Sequence, residues 1–181
     1  IQIKLEKFEQ AQSTAQLGIA IDTQHPDLWL NLGIAEKALG ANEQALHHLD
    51  HALSLNPSLA AAWLHKAWIA IAQQQATHAQ HCFENAAQLD PSFAQTWQTD
   101  ANLNLGALYY KLDQVEKAIQ PYLHVLASGS HTLQSIQSLL LIYGELKQHD
   151  KQIALIEQYD QLIHGDALSN ELIGFYYFNT D

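Results

Sequence analysis

Arginine and methionine are absent from this 181-residue chain, cysteine occurs once and valine twice. Each shortage removes a class of reading. Without arginine, the cations are eight lysines set against nineteen carboxylates, for a formal net charge of −11. A nucleic-acid surface needs clustered cations to displace phosphate counterions, and arginine is its favoured base reader. Nucleic acid is therefore not an expected partner, and anionic membrane surfaces are disfavoured on the same ground. Cys82 stands alone, so no intrachain disulfide can form. A lone cysteine in a helical stretch reads as a small buried apolar side chain. No apolar run approaches the ~18 residues of a membrane span, so membrane insertion is not expected. No signal peptide is visible. A chain that begins at Ile1 with no methionine reads as a processed fragment or a piece of a longer protein, and a cytoplasmic location is the expectation.

The shortage of valine and the presence of only four prolines favour helix. Alanine, leucine and glutamine recur throughout, and unbranched side chains lose little rotamer freedom in a helix. Hydrophobic residues make up 48% of the chain, enough for a substantial core. The expected fold class is all-α. Catalytic motifs are missing as well: there is no GxSxG, Walker loop, GxGxxG or CxxC. The carboxylates are scattered over helix faces without a pairing suited to acid–base work. No enzyme activity and no cofactor are expected of this segment.

What the sequence does contain is self-similarity. Residues 26–59 align with residues 60–93 at an offset of 34. Trp29, Leu32, Gly33, Ala45, Leu49, Ala52 and Pro57 in the first meet Trp63, Lys66, Ala67, Ala79, Phe83, Ala86 and Pro91 in the second. This resembles the tetratricopeptide repeat, whose signature is W-x2-L-G-x2-Y, then A-x3-F, then P, within one repeat length. The departures are Glu36 and Ala70 at the tyrosine position and Lys66 at the leucine position. The pattern has a physical basis. Small residues, Gly33 or Ala67, let a first helix approach Ala45 or Ala79 on a second, while Trp29, Leu49, Trp63 and Phe83 fill the space beside them. Gly40-Ala41-Asn42 breaks the chain between helices, and Pro57 and Pro91 close the second helix of each pair.

After residue 98 the frame moves. Leu105, Gly106, Tyr109, Ala118 and Tyr122 fit the signature, followed one repeat length on by Leu139, Leu140 and Tyr143, then by Ile173, Gly174 and Tyr177. The expected organisation is a single domain, 1–181. It comprises a second helix in 1–25, repeats at 26–59, 60–93, 99–132 and 133–166, a five-residue insertion at about 94–98, and a first helix in 167–181. The repeat at 133–166 has Gln152 where alanine is expected. The insertion is read first as lengthening a helix to residues 93–111, with Trp97 on its protruding turn. The other reading is a short loop at Gln98–Asp100, with Thr99 and Asp100 capping the restart.

The resemblance implies a right-handed solenoid of antiparallel helix pairs whose first helices line a concave groove. Carried over position by position, the lining would be Leu30, Asn31, Ile34 and Lys37, then Leu64, His65, Trp68 and Ile71, then Leu103, Asn104, Ala107 and Tyr110. Chaperone-tail binders of this family hold a terminal carboxylate with lysine, arginine and asparagine. Leu30, Leu64 and His65 at those positions argue against that clamp. Asn31 and Asn104 match the placement of the asparagine ladder in the O-linked GlcNAc transferase family, though solvated polar residues would look the same. Trp68 is surplus to the signature: it either anchors an apolar partner residue or packs against the neighbouring repeat.

Eleven histidines are present, with His47, His48 and His51 close together and His78 and His81 three apart. They read as solvated residues on the outer helix faces, and no metal site is expected. The leading function is a protein-interaction scaffold that binds a peptide or partner helix in the groove. The alternatives are a substrate-recognition arm of a larger enzyme such as a glycosyltransferase, and a self-assembly module forming a homodimer through the aromatic end, Phe175, Tyr176, Tyr177 and Phe178.

Overall fold

Through residue 89 the helices of this chain recur at the length of the repeat. The computed structural model describes residues 2–163, and no strand occurs among them. The assignments made for Ile173, Gly174, Tyr177, the aromatic end and the 167–181 helix lie outside the described residues. Helix α1 spans Gln2–Ile21, α2 Pro26–Ala38, α3 Asn42–Leu55, α4 Ala60–Ala72 and α5 Ala76–Leu89. The last residues of α1, α3 and α5 are each one repeat length apart. A single turn, α6, follows at Pro91–Ala94. The chain forms two compact units, residues 1–96 and 97–181. The second holds α7 at Gln98–Lys111, α8 at Val115–Ser128, α9 at Thr132–Glu145 and α10 at His149–Ile163. Helices pack as pairs, α2 with α3, α4 with α5, α7 with α8 and α9 with α10, in the tetratricopeptide manner.

The pairs close over small residues. A Cβ added at Gly33 would lie 2.8 Å from Leu49 Cγ and 3.1 Å from the Ala45 carbonyl oxygen, so only glycine allows this approach. Ala45, Leu49 and Ala52 have no exposed surface and form one cluster with Leu30, Leu53, Ala62 and Ile69. In the second unit an added Cβ at Gly106 would sit 2.8 Å from the Tyr122 ring, the same relation as Gly33 has to Leu49. The degenerate last pair inverts the sizes. Leu140 takes the glycine position, Gln152 takes the alanine position, and Gly144 one turn on gives the room: a Cβ there would lie 2.9 Å from Gln152 Nε2. Gln152 is buried, and its amide donates to the Leu140 carbonyl at 2.9 Å. The helix pair therefore survives with a polar residue inside because that residue is hydrogen-bonded.

Loops repeat as faithfully as helices. Trp29 Nε1 donates to the Thr23 carbonyl and Trp63 Nε1 to the Pro57 carbonyl, both six residues back. Asp22 and Asn56 each accept from the amide two residues on. The third equivalent, Asp90, accepts instead from the Phe93 amide and the Ser92 hydroxyl. Those donors hold its carboxyl below the ordinary aspartate range, the Phe93 amide foremost.

The five extra residues do not lengthen a helix. The chain leaves α6 after Ala94, turns through residues 95–97 and restarts at Gln98. Trp97 takes the position before the helix, with φ −131° and ψ −11°, and is 7% exposed rather than protruding. The break thus falls just before the loop expected at Gln98–Asp100, and Thr99 and Asp100 lie inside α7 instead of capping it. Asp90 caps the start of α6, and Trp97 is buried where the chain restarts as α7.

Candidate partner-binding face

In the first unit, α2 and α4 present equivalent faces side by side. Asn31 is exposed, and Ile34, Lys37, His65, Trp68 and Ile71 are half-buried. Leu30 and Leu64 are 8% and 6% exposed. Both belong to the packed interior, so the structure withdraws them from the face where the sequence placed them. They lie on the side of each helix that meets its neighbours, one position from the open side.

Lys37 and His65 join the two helices: Lys37 Nζ lies 3.5 Å from His65 Nδ1. Burial, and then the neighbouring ammonium charge, lowers the His65 pKa to about 4. In the neutral ring with its proton on Nε2, Nδ1 can accept from the lysine. Burial also lowers the Lys37 pKa. Trp68 stands edge-on to Phe83 of its own repeat, ring centroids 5.0 Å apart at 80°. It is thus held against its own repeat on one side and half-buried.

In the second unit, Leu103 and Tyr110 are half-buried, and Asn104 and Ala107 are exposed. Asn104 Nδ2 donates to the Asp100 carbonyl of its own helix at 2.7 Å, and the Tyr110 hydroxyl donates to the Glu145 carboxylate. That bond leads the causes that push the Tyr110 phenol up to about 12. Asn104 thus has one amide donor committed to its own backbone.

The structure adds a feature that the lining scheme held only in part, through Asn31 and Ile34. A cleft of about 350 Å³ opens between α1 and α2. Phe8, Ala11, Thr14 and Ala15 form its α1 wall, and Leu28, Asn31, Ile34 and Ala35 its α2 wall. The signal is in the sequence: Ala11-x3-Ala15 stands one repeat length before Ala45-x3-Leu49.

Of the five clustered histidines, His47, His78 and His81 are exposed, as expected, whereas His48 and His51 are half-buried. His48 Nδ1 is 2.7 Å from Glu36 Oε2, and Glu36 is buried at the position where the repeat usually carries tyrosine. His48 lies tilted against the Trp29 ring, His51 meets that ring edge-on, and His81 meets Trp63 edge-on. Among the described residues no group of three or more potential metal ligands converges. Cys82 is fully buried, and burial raises its thiol pKa. No helix among the described residues is long and apolar enough to cross a membrane.

The tetratricopeptide repeat family model matches residues 26–59 and 60–93. The chain carries tetratricopeptide repeats. No curated protein matches it. Among solved structures, it is similar to the crystal structure of MamA, at 18% identity and TM-score 0.66, covering 94% of this chain and 91% of that one. It is similar to MamA from Desulfovibrio magneticus RS-1 at 19% identity and TM-score 0.64, with 88% of each chain covered. Naa15, in a complex with Naa10 and HypK, gives 16% identity and TM-score 0.65, over 87% of this chain and 23% of that one. At such identities these likenesses show the fold, a tetratricopeptide-type α-solenoid. The tetratricopeptide fold is that of a protein–protein interaction scaffold.

Proposed function

We propose that this tetratricopeptide chain is a non-catalytic scaffold that binds a peptide or partner helix across the open face of α2 and α4. Trp68 carries the reading. A half-buried indole, fixed edge-on by Phe83 and flanked by the neutral His65, offers a partner a stiff apolar surface with little conformational entropy to lose. Asn31 and Lys37 add a donor–acceptor amide and a cation on the same face. Asn104, Ala107 and Tyr110 are the corresponding open positions of α7 in the second unit.

Selection from a displayed peptide library on the wild-type chain tests this, with the Trp68→Ala variant as counter-target. The enriched peptides should bind Trp68→Ala at least about ten-fold more weakly, equivalent to ~1.4 kcal/mol. The helical circular-dichroism spectrum should stay intact. Peptides that bind both proteins equally would place recognition elsewhere.

A further inference from the structure

Among the lysines whose side chains are described, Lys37 on α2 and Lys66 on α4 are half-buried and the others are exposed. A half-buried ammonium loses hydration that a counter-charge or a hydrogen-bond acceptor must replace. Lys66 has both a carboxylate, Asp50, and the Trp63 ring. Lys37 has neither. Its polar contact is the His65 ring, Nζ to Nδ1 at 3.5 Å, and no carboxylate among the described residues lies within ion-pair distance of it. The next acid in the chain, Glu36, is bonded to His48 of α3 instead. Burial accordingly lowers the Lys37 pKa with no carboxylate acting to raise it.

The residues around this cation fall into rows across α2 and α4. Asn31 and His65, Ile34 and Trp68, and Lys37 and Ile71 are three pairs, each one repeat length apart and spaced by three residues along its helix. Three-residue spacing keeps them on one face, so Lys37 stands at the edge of an apolar strip made by Ile34, Trp68 and Ile71. We infer that the α2–α4 face is a site for an acidic peptide segment, with an aspartate or glutamate side chain on Lys37 Nζ and a nearby apolar side chain on Trp68. This deepens the scaffold reading and rests on it: it adds the charge of the ligand and the residue that reads that charge. The carboxylate accepts from Lys37 as Asp50 does from Lys66, and a charge-assisted bond beside apolar surface is stronger than one in open water. A side chain is the source rather than a chain terminus. A terminal carboxylate in this family is held by several donors, whereas Leu30 and Leu64 at those positions are buried in the interior. One ammonium is enough for one side-chain carboxylate. The net charge of −11 opposes an acidic ligand only at long range. At about 0.15 M salt the screening length is ~8 Å, and the contact at Lys37 decides.

The displayed-library selection, run at about 0.15 M sodium chloride, tests this on wild type, Lys37→Met and Lys111→Met. The last removes the same charge from an exposed site. Peptides enriched on wild type and on Lys111→Met should share an aspartate or glutamate at a fixed spacing from an aromatic or aliphatic residue. Peptides enriched on Lys37→Met should keep the apolar residue and lose the acid. The leading wild-type peptide is then synthesised with capped ends, and its acid is changed to the matching amide. That change should weaken binding at least about ten-fold on wild type and less than about two-fold on Lys37→Met. Lys37→Met keeps the apolar stem, and its helical circular-dichroism spectrum should match the wild type. An amide peptide that binds wild type as well as its parent overturns the assignment without any variant. Equal losses on wild type and Lys37→Met also overturn it, and both outcomes leave the scaffold reading standing if binding still needs Trp68. Tighter binding by a peptide cut to end in a free carboxylate at that position would put a chain terminus on Lys37 and reject the side chain. No enriched peptide on any of the three proteins would overturn both readings.

Discussion

A histidine kept neutral beside a lysine sets the polarity of the α2–α4 face. Helical spacing was enough to put Lys37 and His65 on one face. It could not say that burial and the ammonium charge together would bring the His65 pKa down to about 4. The consequence for stability follows by linkage. The unfolded chain binds a proton near pH 6.5 that the folded chain refuses until about pH 4. The contribution is complete above pH 6.5 and is lost as pH falls toward 4. Urea midpoints at pH 7 and pH 4.5 should therefore fall further for the wild type than for His65→Gln, which has nothing to titrate there. Parallel losses would show that His65 is not held neutral. Because burial is the larger cause, Lys37→Met should raise the His65 titration midpoint seen by NMR only part of the way to 6.5.

At the scale of the element, the turn inside each helix pair is the most regular feature of the chain. Gly40, Gln74, Asp113 and Lys147 all have φ between 54° and 83°. Neighbours among them are one repeat length apart, except that the five extra residues separate Gln74 from Asp113. The next amide of each reaches back five residues, Ala41 to Glu36, Gln75 to Ala70, Gln114 to Tyr109 and Gln148 to Tyr143, at 2.8–2.9 Å. This is the Schellman arrangement that ends a helix in a left-handed residue. It locates all five extra residues ahead of α7's turn. Only the first copy carries glycine; the other three place a side chain where the left-handed conformation costs roughly 1 kcal/mol. Gln74→Gly should accordingly raise stability by about 0.5–1 kcal/mol despite glycine's looser unfolded state, measured by chemical denaturation. A lower midpoint would mean that the Gln74 side chain contributes more than its backbone costs. The all-α pairing of helices was legible because alternating small and large residues must recur wherever two helices approach closely. The break at residues 95–97 was not, because whether Trp97 is buried is a matter of tertiary packing and not of its local sequence. Nor was the burial of Glu36 legible, which depends on His48 coming from another helix.

For the molecule as a whole, the dominant imbalance is charge. Eight lysines cannot pair with nineteen carboxylates, and the net −11 works against every compact arrangement of the chain. Cations that do act locally are spread thinly: Lys66 bonds to Asp50 and lies over Trp63, Lys117 lies over Tyr109 and Lys151 over Tyr143. Exposed pairs of this sort contribute little each, so salt has little attraction to screen away. It has much repulsion to screen. At pH 7.5, raising sodium chloride from about 10 mM to about 0.2 M shortens the screening length from about 30 Å to under about 10 Å. The melting temperature should rise by about 2–4 °C, which for a chain of this length corresponds to ~1 kcal/mol. Most of the rise should be complete by about 0.2 M, since screening saturates as the Debye length falls below the spacing of surface charges. A steady linear increase into the molar range would instead indicate salt exclusion from the protein surface. A melting temperature that falls with salt would mean that the few lysine contacts outweigh the repulsion.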